Sequence, residues 1–122
     1  MIQGVDHTQI TIPVGSEPIA EEFYCSFLGL KKIEKPENLK ARGGFWLQVG
    51  NLQVHFGIED GIERAKSRAH IAYRVSDLEQ WRLKLRSRKI EILEGLPIPG
   101  ASRFEFRDPF GNRVEFIQWQ KN

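Results

Sequence analysis

Val5-Asp6-His7-Thr8-Gln9-Ile10-Thr11-Ile12 is echoed by Arg68-Ala69-His70-Ile71-Ala72-Tyr73-Arg74-Val75, and this echo decides the fold. A second pair lies downstream in each half. Leu52-Gln53-Val54-His55-Phe56-Gly57 stands against Asn112-Arg113-Val114-Glu115-Phe116-Ile117, so that His55 is matched to Glu115. The first pair is offset by about 63 residues and the second by about 60. Two copies at so long a period describe a duplicated module rather than a solenoid. Four side chains able to bind a metal, at equivalent places in two modules, predict one site built from both.

Working outward from these strands, each half has the order β-α-β-β-β. In the first half, residues 4–12 read as a strand, and Ser16-Glu17-Pro18 reads as a helix start with proline in its first turn. Ala20, Phe23, Tyr24, Phe27 and Leu28 recur at helical spacing, and Gly29 supplies the left-handed cap. A short strand over 30–34 and a polar loop from Pro36 to Arg42 follow. Residues 45–49 and 52–58 then form a hairpin around Gly50-Asn51. Glu59 to Ser67 is a charged linker, which divides a single domain of 122 residues into modules at about 1–60 and 68–122.

The second half begins with a strand over 69–75. Ser76-Asp77-Leu78-Glu79 reads as a capping box with Ser76 as the cap. Leu78, Trp81 and Leu85 form the apolar stripe of the helix that follows. A strand over 89–93, a turn-rich Gly95–Gly100 and strands over 102–107 and 113–119 complete the module. The last two strands are joined by the turn Asp108-Pro109-Phe110-Gly111-Asn112.

Charge and composition remove several classes of function. The net charge of +2, spread over scattered basic residues, gives no footprint for nucleic acid. No apolar run approaches the roughly 20 residues of a membrane span. The first residues lack the pattern of a signal peptide, so the expected location is the cytoplasm. The single Cys25 excludes an intrachain disulfide and is expected to be a buried structural thiol.

Side chains alternate faces along a strand. His7, Gln9 and Thr11 therefore oppose Ile10 and Ile12. His55 and Gln53 oppose Val54 and Phe56, His70 opposes Ile71 and Tyr73, and Glu115 opposes Val114 and Phe116. By the same parity Trp46, Gln48, Arg103 and Glu105 lie on the ligand side. With Gln53, these are the candidate substrate-binding residues. A lone strand histidine is more often a hydrogen-bonded core or surface group than a ligand. Here all three histidines of the chain fall on one side at positions related by the repeat. His7, His70 and Glu115 supply two imidazoles and a carboxylate, the donor types for divalent Zn, Ni, Mn, Fe or Co, and leave coordination positions open for substrate. His55 is a candidate fourth ligand, or else an imidazole beside the site.

The chain resembles the vicinal oxygen chelate superfamily, which includes glyoxalase I, fosfomycin-resistance thiol transferases, extradiol dioxygenases and bleomycin-resistance proteins. The resemblance covers nearly the whole chain. It rests on His7, Phe23-Tyr24 followed by Leu28-Gly29-Leu30, Ala69-His70-Ile71-Ala72, and Asp108-Pro109-Phe110-Gly111-Asn112-Arg113-Val114-Glu115. The last segment is similar to the family's Asp-Pro-x-Gly-Asn-x-x-Glu signature. The resemblance implies an α+β fold, with two βαβββ modules forming a cupped mixed β-sheet and helices on its outer face. It also implies a homodimer acting on a small-molecule substrate.

Glyoxalase I relatives alternate histidine and glutamate ligands, and this chain departs from them in having His55 at the second place. Dioxygenase and fosfomycin transferase relatives use a two-histidine, one-glutamate triad, which His7, His70 and Glu115 match. The transferases' C-terminal extension of basic and aromatic residues has no counterpart before Asn122. Bleomycin-resistance proteins sequester a ligand without these histidines. The expectation is a metal-dependent enzyme most like a glyoxalase I-type lyase or isomerase, with Glu115 as catalytic base. An extradiol-type dioxygenase, a thiol transferase and a ligand-sequestering binding protein are the alternatives.

Overall fold

The structure is a computed structural model, which describes residues 1–121. The chain forms two compact units, Met1–Ile62 and Glu63–Asn122. Each holds a four-stranded mixed sheet with a helix packed on it.

In the first unit the elements are β1 (His7–Ile12), α1 (Glu17–Glu21), β2 (Lys31–Ile33), β3 (Phe45–Val49) and β4 (Leu52–Ile58). The sheet order is β1-β4-β3-β2, with β1 parallel to β4 and the other pairs antiparallel. The second unit repeats this arrangement. Its elements are β5 (His70–Arg74), α2 (Leu78–Ser87), β6 (Leu93–Glu94), β7 (Ala101–Arg107) and β8 (Arg113–Trp119), in the order β5-β8-β7-β6. The two βαβββ modules read from the repeat are thus both present.

The apolar rows fall where strand parity places them. In the first unit Phe45, Leu47, Val54 and Phe56 are buried under Ala20, Phe23, Tyr24, Phe27 and Leu28. Phe45 and Phe56 stack at 4.4 Å between ring centres, and Tyr24 meets Phe56 edge-on at 4.7 Å. In the second unit Leu78 and Leu85 are buried together with Phe104, Phe106, Val114 and Phe116.

Several local expectations are corrected. The first helix is α-helical for five residues and then π-helical over Glu22–Phe27, so that Leu28 N–H donates to Phe23 O at 2.9 Å. Gly29 ends it at φ 83°, as the cap reading required. Cys25 is half-buried rather than buried; burial, then nearby Glu21, pushes its thiol pKa up. The loop after Pro36 is a 3-10 helix over Glu37–Arg42. The cap of α2 is Asp77, not Ser76: its carboxylate accepts from Gln80 N–H at 3.1 Å. Chain pairing runs on through Val75 N–H to Ile117 O, which moves the helix start one residue along. Glu79 does not reach back; it pairs with Arg82, and Gln118 Oε1 takes the Leu78 N–H instead. The strand expected over 89–93 is only Leu93–Glu94, because Lys89, at φ 59°, and Ile90 still close the end of α2: their N–H groups donate to Arg86 O and Leu85 O.

One glycine is fixed by close approach. A Cβ on Gly44, at φ 75°, would lie 1.9 Å from the Phe56 carbonyl oxygen. Only glycine lets the chain enter β3 against β4 here.

Candidate metal and substrate site

Each unit brings one pair of the predicted ligands together. In the first, β1 and β4 run side by side with Gln9 opposite His55, so His7 and His55 are diagonal neighbours. Their rings stack at 4.1 Å between centres and 16° between planes. Trp46, opposite His55 across the β3–β4 ladder, stacks on it at 3.8 Å and 2°. One imidazole face has no room for two stacked rings, so His55 is sandwiched between His7 and Trp46. It is 6% exposed, whereas the side chain of His7 is 46% exposed.

In the second unit the equivalent positions hold His70 and Glu115. His70 Nε2 lies 3.2 Å from Glu115 Oε1. Two donors each about 2.1 Å from one ion are roughly 3.0–3.4 Å apart, so this pair is spaced as two ligands of one metal would be. Glu115 is buried and also meets Arg103 Nη1 at 3.5 Å. Arg103 is itself tied by its Nε–H to Leu96 O at 3.2 Å.

The ring nitrogens separate the three histidines. Asp6 Oδ1 lies 2.9 Å from His7 Nδ1, and Arg68 O lies 3.0 Å from His70 Nδ1. Both oxygens can only accept, so each Nδ1 carries a proton, and Nε2 is the nitrogen that each ring could offer to an ion; that of His70 faces the Glu115 carboxylate. Metal-binding histidines are oriented in just this way. His55 is arranged differently. Its Nε2 donates to Gln53 Oε1 at 2.9 Å. Burial is the main cause that pushes its pKa down, with the neighbouring His7 adding to the effect, so near neutral pH the ring is uncharged. Among the described residues no group of three or more histidine, cysteine or carboxylate side chains is gathered around one point. The donors of each unit fit a metal as a pair.

A turn sets the position of Glu115. The Asp108 carboxylate accepts from Phe110 N–H at 2.9 Å, Asn112 N–H at 2.8 Å and the Asn112 side chain at 2.9 Å. Gly111, at φ 97°, leaves room for Ala65, whose nitrogen would be 2.8 Å from a Cβ. Arg107 Nη1 joins Ser67 O (3.0 Å) to Gly111 O (3.1 Å), and so ties the approach to β5 to the approach to β8. This clamp was not read from the sequence, where Arg107 is one arginine among many.

The remaining predicted substrate contacts have other partners. Gln48 donates to Gly50 O and Leu52 O and closes its own hairpin. Glu105 is paired with Arg113. Gln53 holds His55. Trp46 lines a cavity of about 480 Å³ in the first unit with His7, Gln9, Lys35, Arg42 and His55. Arg42 ends the segment read as a polar loop and Lys35 directly precedes it, and nothing in the composition marked either. The cavity's charged lining residues are both basic.

The chain matches the Glyoxalase/Bleomycin resistance protein/Dioxygenase superfamily over residues 4–116 and belongs to it. It is 32% identical to the metallothiol transferase FosB of Staphylococcus epidermidis, over 94% of this chain and 83% of that protein. It is 42% identical to a Bacillus anthracis protein whose crystal structure is assigned to the glyoxalase family, with a TM-score of 0.89 and 98% of each chain covered. A glyoxalase/dioxygenase structure from Nostoc punctiforme shares the fold, with a TM-score of 0.80 at 16% identity, covering 98% of this chain and 92% of that one.

Proposed function

We propose that this protein is a metal-dependent enzyme acting on a small substrate that presents neighbouring oxygen atoms, with His7, His70 and Glu115 as the residues that hold the ion. One observation carries the reading. The histidines at equivalent places in the two units both have Nδ1 held by an oxygen acceptor, so that Nε2 is the nitrogen available for an ion, and Nε2 of His70 faces a buried carboxylate at 3.2 Å. A divalent ion bound there would supply Lewis-acid polarisation of the substrate oxygens. The superfamily's usual homodimer is part of the proposal.

The chain's own residues do the rest. Asp6 and the Arg68 carbonyl fix the imidazoles. Arg103 and the Asp108 turn fix Glu115. Trp46 offers a flat apolar wall, and Lys35 and Arg42 give the cavity a positive lining that favours an anionic group on the substrate. Thiol transfer to a small oxygen-bearing electrophile is the reaction favoured here, supported by the similarity to a metallothiol transferase and by a triad with open positions. The second reading is a glyoxalase I-type lyase or isomerase. Its support is Glu115, a buried carboxylate beside the His70 imidazole, which can act as a base.

The test is turnover by metal-loaded protein with three substrate types: a thiol plus a small epoxide, a hemithioacetal, and a catechol. Thiol adduct formation that drops by about two to four orders of magnitude in Glu115→Gln supports the proposal. Hemithioacetal conversion with the same dependence moves the chain to the lyase reading, and catechol cleavage with iron to the dioxygenases. A wild-type protein inert towards all three, whose Trp46 fluorescence still responds to ligand, is a binding protein and contradicts the enzyme.

A further inference from the structure

His55 occupies the place in the first unit that Glu115 occupies in the second, which invites its use as a fourth ligand. The ring geometry argues otherwise. A nitrogen lone pair lies in the plane of its imidazole, so an ion bound by two imidazoles lies close to both planes. The planes of His7 and His55 are inclined by only 16° with ring centres 4.1 Å apart. An ion about 2.1 Å from His7 Nε2 would therefore sit on the order of 3 Å out of the His55 plane. Turning the His55 ring would break its stack on Trp46 at 3.8 Å and its Nε2 bond to Gln53.

We infer that His55 is a positioning residue: it does not bind the metal, and it acts as a flat backing plate, held by Trp46 and Gln53, that sets the plane of the His7 ring. The inference rests on the proposed metal role of His7. Two tethers then fix that exposed ring, the Asp6 carboxylate at Nδ1 and the His55 face beneath it. The preference of aromatic rings for stacking supplies the hold. A further consequence is that the ligand set stays at three, with positions open for substrate.

Three variants separate stacking from ligation and from mere filling of space. His55→Phe keeps a flat ring and has no donor nitrogen. His55→Leu fills the volume without a flat face. His7→Ala reports on the metal reading itself. Calorimetric titration of the purified protein with Mn(II), and again with Zn(II), is the first readout. We expect His55→Phe to bind within about threefold of wild type, His55→Leu to lose about tenfold, and His7→Ala to lose 100-fold or more. The second readout needs no metal: the ring-current shift of the His7 Cε1–H proton, kept in His55→Phe and lost in His55→Leu. Loss of metal affinity in His55→Phe as large as in His7→Ala would make His55 a ligand and overturn the inference. Equal shifts and affinities in the Phe and Leu variants would overturn it too, by reducing His55 to a space filler. Unchanged affinity in His7→Ala sinks the metal reading instead, and the metal-free proton shift then decides the stacking role alone.

Discussion

At the scale of single residues, the three histidines differ through what holds their nitrogens. His7 and His70 each give Nδ1–H to an oxygen, while His55 gives Nε2–H to Gln53 and lies buried between two rings. Burial of His55 has a consequence for stability. Its pKa is pushed below the ordinary histidine value near 6.5, first by burial and then by His7. The unfolded chain therefore takes up a proton there before the folded chain does. The stability contributed by neutral His55 is complete above about pH 6.5 and is lost as pH falls through the depressed folded value. Denaturant unfolding followed from pH 7.5 down to pH 5 should show a smaller loss for His55→Phe than for wild type. Identical slopes would mean that His55 titrates alike in both states.

At the scale of elements, the informative part is the turn from Asp108 to Asn112. Its buried carboxylate satisfies two backbone N–H groups and one side-chain amide, and β8 starts from it with Glu115 as its third residue. Asp108→Ala removes the acceptor and leaves those donors unpaired. Thermal or urea unfolding should show a loss of about 2–4 kcal/mol. Asp108→Asn, which keeps one acceptor oxygen, should lose less. A change under about 0.5 kcal/mol in Asp108→Ala would mean that the turn holds itself.

This turn was legible in the sequence because its chemistry is local: Asp, Pro, Gly and Asn each have a preference for one turn position. Both sheets were legible for a similar reason, since alternation marked each apolar row and the repeat confirmed the order. The cap of α2 was misplaced by one residue because the end of β5 pairing, a contact with a distant strand, sets where the helix begins. The π-helical turn at Glu22–Phe27 leaves no mark at helical spacing. The sandwiching of His55 was also beyond reach: parity puts Trp46 and His55 on one face, but only the strand register sets them directly opposite each other. Lys35, Arg42 and Arg107 act through loop geometry that composition does not encode.

At the scale of the whole molecule, one βαβββ plan is used twice with different side chains at matched places. The register places His55 opposite Trp46 in the first unit and Glu115 opposite Glu105 in the second. Trp46 makes a stacked pair with His55, whereas Glu115 makes a donor pair with His70. This divergence is what makes a site of two histidines and one carboxylate the economical reading of the chain. Native mass spectrometry after incubation with Mn(II) and removal of excess metal tests it most directly, since mass and metal content are read in one spectrum. We expect a dimer of the 14.1 kDa chain that retains one divalent ion per chain, with the ion lost in His7→Ala, His70→Ala and Glu115→Ala and kept in His55→Phe. Wild-type protein that retains no ion, or retains it equally in the three alanine variants, would contradict it.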